Sequence, residues 1–241
     1  VTVLALTLAG PLQAWGSASR FATRATDDAP TKSGVVGLLA AARGLRRTDP
    51  LEDLMRLRFG VRVDQPGELL RDFQTARSLD GRESMPLSYR FYRADARYVV
   101  GLEAERELLE ILVDALAHPV FPLYLGRRSC PPSEPFAPRL HEAPLEEVLR
   151  DEPWHAAAWW QRKLADDPVS LEFRIDADDL ERTKTWLDVL GTTTARDEAL
   201  SFDPENRRYG WRTVAHGWIP LRTGGAPPTD GLAHEPMDLL G

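Results

Sequence analysis

Three lysines, three methionines and one cysteine are all that this chain of 241 residues holds of those types. A single cysteine, Cys130, leaves no partner for an internal disulfide, and a reducing compartment, the cytoplasm, is the default expectation. Long apolar runs are missing as well. The longest, residues 35–42, falls far short of the ~20 residues that span a bilayer, so no membrane partner is expected. The first ten residues, VTVLALTLAG, carry no basic flank and read as a strand rather than a secretion signal. The five histidines include no HxxxH and no neighbouring cysteine pair, which excludes the common metal-ligand spacings. There is no GxSxG, and Cys130 has no activating partner in sequence. The segment Pro30-Thr31-Lys32-Ser33-Gly34 has Thr31 where a phosphate-binding P-loop places glycine. Neither a catalytic residue nor a metal nor a cofactor is therefore expected.

What the chain does hold is arginine: 27 of its 30 basic residues. The net charge is −7, which alone argues against a nucleic-acid partner. Its distribution argues otherwise. Residues 1–140 carry 19 basic and 17 acidic side chains, and residues 141–241 carry 11 and 20. A basic front half and an acidic back half are what separate faces for a polyanion and for another partner require. Arginine also supplies the planar fork that suits phosphates and stacked bases.

Apolar periodicity predicts the elements. Residues 1–8 are a short, β-branched, apolar strand ended by Gly10-Pro11. Residues 9–32 read as a loop. Thr31 or Ser33 caps a helix that stops at Gly44. Residues 57–63 alternate as a half-buried strand, 97–102 form a third strand, 103–117 a helix ended by Pro119, and 120–125 a fourth strand. Strand, helix, strand, strand, helix, strand is the split βαβ order, so an α+β, ferredoxin-like (RRM-like) N-terminal domain is expected over residues 1–135. The aromatic consensus that RNA-recognition domains carry on their sheet is absent, so base stacking on the sheet face is not. Residues 64–96 are too long for an ordinary connection. With Asp80-Gly81 as a turn they read as a long β-hairpin arm. A smaller C-terminal β-containing region follows over 136–221: helix over 144–165, strand over 169–175, helix over 178–190 and one or two strands over 209–221. Residues 222–241, rich in Gly and Pro, read as a loose tail.

Four clusters combine cations with flexible or aromatic neighbours. Trp15, with Arg20 and Arg24 behind it, fits either a base platform or a packing anchor under the loop. Lys32 and Ser33 open a helix whose N–H groups suit a phosphate, or simply cap it. Gly126-Arg127-Arg128-Ser129 follows the last expected strand and suits a phosphodiester backbone. Arg207-Arg208 precede Tyr209 and Trp211. The arm adds Gln74, Arg77, Arg82 and Arg90. The first three clusters fall at places that a ferredoxin-like topology brings near one another, which favours an RNA-binding face.

The segments LAGPLQAWG (residues 8–16), PTKSG (30–34) and YLGRRSCP (124–131) together resemble the CasD family, the subunits of type I-E CRISPR Cascade complexes that hold the 5′ handle of the guide RNA (crRNA). Phe73-Gln74-Thr75 and residues 90–96 match in character. The resemblance covers residues 1–135; beyond them Arg207-Arg208-Tyr209 is the best match, and Lys32 stands where arginine is also common. It implies a repeat-associated protein (RAMP) with a ferredoxin-like domain and a hairpin thumb at 64–96. It implies a non-catalytic, crRNA-binding subunit serving antiviral defence, with the backbone and large subunits of Cascade as partners and target DNA met indirectly near the first paired positions. The alternative is a metal-independent endoribonuclease that processes precursor crRNA. Relatives that cut RNA use an adjacent Lys-His pair, which this sequence lacks; His118, Tyr92 or Tyr209 would have to serve.

Overall fold

A computed structural model describes residues 1–16 and 23–221. Its elements, in order, are β1 (Thr2–Ala9), β2 (Leu12–Gln13), β3 (Thr23–Arg24), α1 (Lys32–Ala42), α2 (Glu52–Met55), β4 (Arg58–Gln65), β5 (Glu68–Gln74), β6 (Ser88–Ala94), β7 (Arg97–Ala104), α3 (Arg106–Ala117), β8 (Arg139–His141), α4 (Leu145–Asp151), α5 (Ala158–Lys163), β9 (Ser170–Asp176), α6 (Leu180–Trp186), β10 (Asp188–Ser201) and β11 (Arg208–Pro220). The fold is mixed α/β with sheets that are antiparallel except for the short β3–β6 pair. Seven strands form one sheet in the order β10-β11-β9-β4-β7-β1-β8. A smaller sheet joins β2, β3 and β5 to β6.

The period-2 alternation of the central strands loads both faces of the large sheet. Leu4, Leu6 and Leu8 of β1, Phe59 and Val61 of β4, and Val100 and Leu102 of β7 pack with α1 and α3. Val3, Ala5 and Val99 point to the other face and meet Leu145, Val148 and Leu149 of α4 together with Phe173 and Ile175 of β9. β4 is thus buried at all eight positions rather than half-buried as its sequence predicts. Its charged residues are buried because they are paired. Arg62 grips Asp64 through two nitrogens at 2.7 and 2.9 Å and donates to the carbonyls of Leu149, Glu152 and Pro153 at the end of α4. Full pairing offsets the cost of burying that charge.

Helix α1 begins where predicted. Thr31 accepts from the Gly34 N–H at 3.2 Å, and Gly44 follows the last turn at φ +78°. The expected fourth strand over 120–125 does not form. The N–H groups of Val120 and Phe121 instead donate to Ala42 and Ala41 at the end of α1, the Ala41 carbonyl also accepting from Gly44. The short β8 takes the edge beside β1, pairing His141 with Val3 and Arg139 with Ala5.

In the C-terminal half, the single helix expected over 144–165 is two helices. Between them the indole of Trp154 donates to the Asp64 carbonyl. The helix expected over 178–190 ends at Trp186, and the 14-residue β10 starts two residues later. β10 escapes sequence reading because three irregularities in its register with β11 break its alternation.

Candidate nucleic-acid interface

The arm of residues 64–96 is built by β5 and β6, paired in register from Glu68 against Ala94 to Gln74 against Ser88. Its tip closes through an isolated Arg77–Ser84 bridge, with the Met85 N–H donating to Ala76 and Gly81 at φ +72° in the turn. The arm carries its apolar residues into solvent: Phe73 is 68% exposed, Met85 55%, and Leu79 fully exposed. At its base β2 pairs with β6, Gln13 opposite Arg93, and β3 runs parallel to β6 with Arg24 beside Arg90.

Onto this junction folds the 125–130 loop. The Leu125 N–H donates to Cys130, the Cys130 N–H to Arg127, and the Ala14 N–H to Leu125. Gly126 sits at φ +88°, and a Cβ there would lie 1.8 Å from the Ala14 carbonyl oxygen, so only glycine fits. The Arg127 guanidinium donates to the carbonyls of Phe91 (2.8 Å), Arg24 (2.7 Å) and Ala25 (3.0 Å) and lies 4.8 Å over the Tyr92 ring. One side chain therefore ties the arm, the β3 segment and the 125–130 loop together.

The structure sorts the residues singled out from sequence into three groups. Arg24, Arg77, Arg128 and Ser129 are exposed, and the three arginines make no ion pair among the described residues. Arg90 and Arg93 are half-buried on β6, each with a buried Nε that lacks a partner. Gln74 donates to Asp72 on the arm. These residues and Gly126 share the arm and its base. Arg207 and Arg208 are exposed elsewhere, at the end of the turn joining β10 to β11 and at the first residue of β11. That turn packs through Phe202 on Gly37 of α1. Arg20 lies outside the described residues.

The third group is corrected. Trp15 is a packing anchor: it is buried, its Nε1 donates to Gln13, and its ring lies against Gly34, where a Cβ would come within 2.8 Å. Lys32 and Ser33 are buried too. The Lys32 Nζ pairs with Asp176 at 2.9 Å, and its N–H donates to the Asp197 carboxylate at 2.8 Å. The anion site at the start of α1 is thus filled from within the chain. Arg212 completes the group, meeting Asp197 at 2.7 Å and Asp176 at 2.6 Å. Two cations and two carboxylates fasten α1 to the β9–β11 sheet. Arg127 belongs here in part, since three of its five N–H donors go to carbonyls.

Two further clusters were not legible in the sequence. Asp28, whose carboxyl the Arg174 hydrogen bond holds below its ordinary pKa, grips Arg174 at 2.7 and 2.9 Å. Glu152 is buried between His141 (2.8 Å), His155 (3.0 Å) and Arg139 (2.7 Å). Burial alone would raise its pKa; the hydrogen bonds from His155 and Arg139 outweigh that and bring it down to about 2. This cluster staples the edge strand β8 to the end of α4. Among the described residues no group of His, Cys, Asp and Glu is arranged to hold a metal ion.

The mixed α/β fold is shared with solved Cas proteins. A solved structure described as "Crystal structure of Cas protein" is 38% identical, with a TM-score of 0.69 over 90% of this chain and 95% of its own. A chain of a structure described as "CRISPR RNA-guided surveillance complex" is 30% identical, with a TM-score of 0.73 over 95% of both. The family model described as CRISPR-associated protein (Cas_Cas5) matches residues 3–215, and the chain belongs to that family. Among curated relatives, the "CRISPR system Cascade subunit CasD" of Escherichia coli (strain K12) is 35% identical over 153 residues, covering 55% of this chain and 68% of the relative.

Proposed function

We propose that this chain is a non-catalytic RNA-binding subunit of a CRISPR surveillance complex of type I-E Cascade, holding the 5′ handle of the crRNA and capping the complex. The observation that carries this reading is the junction at the base of the arm. There the exposed Arg24 and Arg128 and the half-buried Arg90 and Arg93 lie around a loop that Arg127 and Gly126 hold rigid. Cations on a fixed backbone suit a phosphodiester chain that must bend sharply. In this reading residues 1–135 form a ferredoxin-like domain, with β1, β7 and β4 as its sheet and α1 and α3 on one face, and β8 of the following region takes the edge beside β1. Residues 136–221 form the smaller C-terminal region. The arm reaches the backbone and large subunits near the first positions paired with target DNA. Catalysis is not assigned: His118 is exposed at the end of α3 and faces Asp114 at 3.2 Å. No described helix is long and apolar enough to cross a membrane.

Co-expression with the neighbouring subunits and a CRISPR array tests this reading. The 5′ ends of the co-purified RNA are sequenced. A uniform handle is expected, retained in complexes with this chain and degraded when it is omitted. Handles that survive equally without it refute the reading. A discrete cut by the chain alone, in the presence of a chelator, moves it to the endoribonuclease class.

A further inference from the structure

Between residues 27–31 and the strands β9, β10 and β11 lies a cavity of about 800 Å³ that the junction above does not use. Its size is that of a small-molecule site. Val61 and Val214 are among its lining residues, and Trp211, 66% exposed, is another. The Arg196 guanidinium stands 5.9 Å over the Trp211 ring. Thr193, Thr194 and His216 also line the cavity, and their side chains have no hydrogen-bond partner among the described residues.

The charges of the cavity decide what it takes. Its other arginines are already neutralised: Arg174 by Asp28 and Glu172, and Arg212 by Asp197 and Asp176. A phosphate entering here would meet these carboxylates and only one uncommitted cation, Arg196. A planar, uncharged and polar group fits better. It stacks on the indole, and its edges meet the exposed hydroxyls of Thr193 and Thr194 and the half-buried imidazole of His216, none of which is held by another side chain.

We infer that this cavity receives one unstacked nucleobase of the bound RNA, with Trp211 as its platform. The inference rests on the RNA-binding reading and adds to it a base-recognising site apart from the arginines at the arm. The phosphates on either side of that nucleotide stay outside the cavity.

The test is a cycle of protein and RNA changes. The full chain and its Trp211→Ala and Trp211→Phe variants are titrated with a short single-stranded RNA copied from the 5′ end of the co-purified crRNA. Single abasic positions are then scanned along that RNA. Loss of a stacked base weakens binding by roughly 5- to 140-fold. Trp211→Ala is expected to lose affinity within that range on intact RNA, and Trp211→Phe to recover most of it. At one abasic position Trp211→Ala is expected to lose nothing further. Equal affinities of the wild type and Trp211→Ala on intact RNA, with binding otherwise strong, overturn the cavity inference and leave the RNA-binding reading standing. A loss that is the same at every abasic position also overturns it. Failure of the wild-type chain to bind RNA overturns both. Trp211 is exposed, so the unfolding temperature of Trp211→Ala is expected to match the wild type.

Discussion

Arg127 and Arg128 are neighbours of identical chemistry, and the structure gives them different surroundings. Arg127 donates to three carbonyls of two other segments and covers the Tyr92 ring. Arg128 is exposed, with no ion pair among the described residues. Hydrogen bonds to a charged group are worth roughly 1.5–3 kcal/mol each when well shielded, and a cation–π contact about 0.5–1. Arg127 is only partly buried, so the combined loss in Arg127→Ala is discounted to about 2–3 kcal/mol. For a chain of this size that lowers the unfolding temperature by roughly 4–12 °C. Arg128→Ala is expected to leave that temperature unchanged. With Arg128 meeting one phosphate as proposed, the same substitution is expected to make the slope of log affinity against log salt shallower by about 0.7 for single-stranded RNA. The assays are differential scanning fluorimetry and RNA titration at several salt concentrations. If Arg127→Ala keeps its stability and loses the salt slope while Arg128→Ala changes neither, the roles assigned here are reversed and the reasoning fails.

Three further outcomes are expected. Lys32→Ala breaks a buried ion pair, which costs about 3–5 kcal/mol in general. Arg212 and the Phe59 N–H still hold Asp176, so the low end applies, read as a fall in the urea midpoint. A salt slope lost without a loss of stability would restore Lys32 as a phosphate ligand. Glu152 titrates at about 2 in the folded chain against 4.5 ordinarily. A lowered folded pKa gives stability that is full above about 4.5 and lost as pH falls from there through 2, of the order of 3 kcal/mol. Glu152→Gln is expected to flatten urea-midpoint profiles in that window, and an unchanged acid limb would contradict this. Replacing residues 78–88 by a Gly-Ser turn removes Leu79, Met85 and Leu87, which are exposed and contribute no core. The chain is expected to fold normally and to assemble poorly with its complex; full assembly and normal target binding would refute a role for the arm.

The central strands and the two longest helices were legible because apolar periodicity reports burial: β1 and β7 bury what that pattern marks, and α3 buries Leu109, Leu112 and Leu116 while Ile111 on the same stripe stays exposed. The arm was legible through its length and the Asp80-Gly81 turn. The fourth strand was misplaced because Val120 and Phe121 are apolar enough for a strand, while their N–H groups serve the end of α1. β10 was missed because its bulges erase the alternation. At the site the limit was of another kind. A lysine after a turn reads as a surface cation, and only the fold brings Asp176 and Asp197 to it from 144 and 165 residues away. Arg127 likewise reads as a phosphate ligand until Phe91, Arg24 and Ala25 are seen to offer their carbonyls. Residue type showed that arginine and aromatic chemistry was present. Which of these groups remain free depends on long-range pairing that no local pattern encodes.

The central claim is that this chain holds the 5′ end of the guide. Its most direct test is a photoreactive nucleotide placed singly along the crRNA of the assembled complex, followed by mapping of the cross-linked peptides. Handle positions are expected to cross-link to this chain, at the 125–130 loop and the base of the arm around Arg24 and Arg90. Handle cross-links confined to other subunits, or cross-links to this chain spread evenly along the whole crRNA, would contradict it.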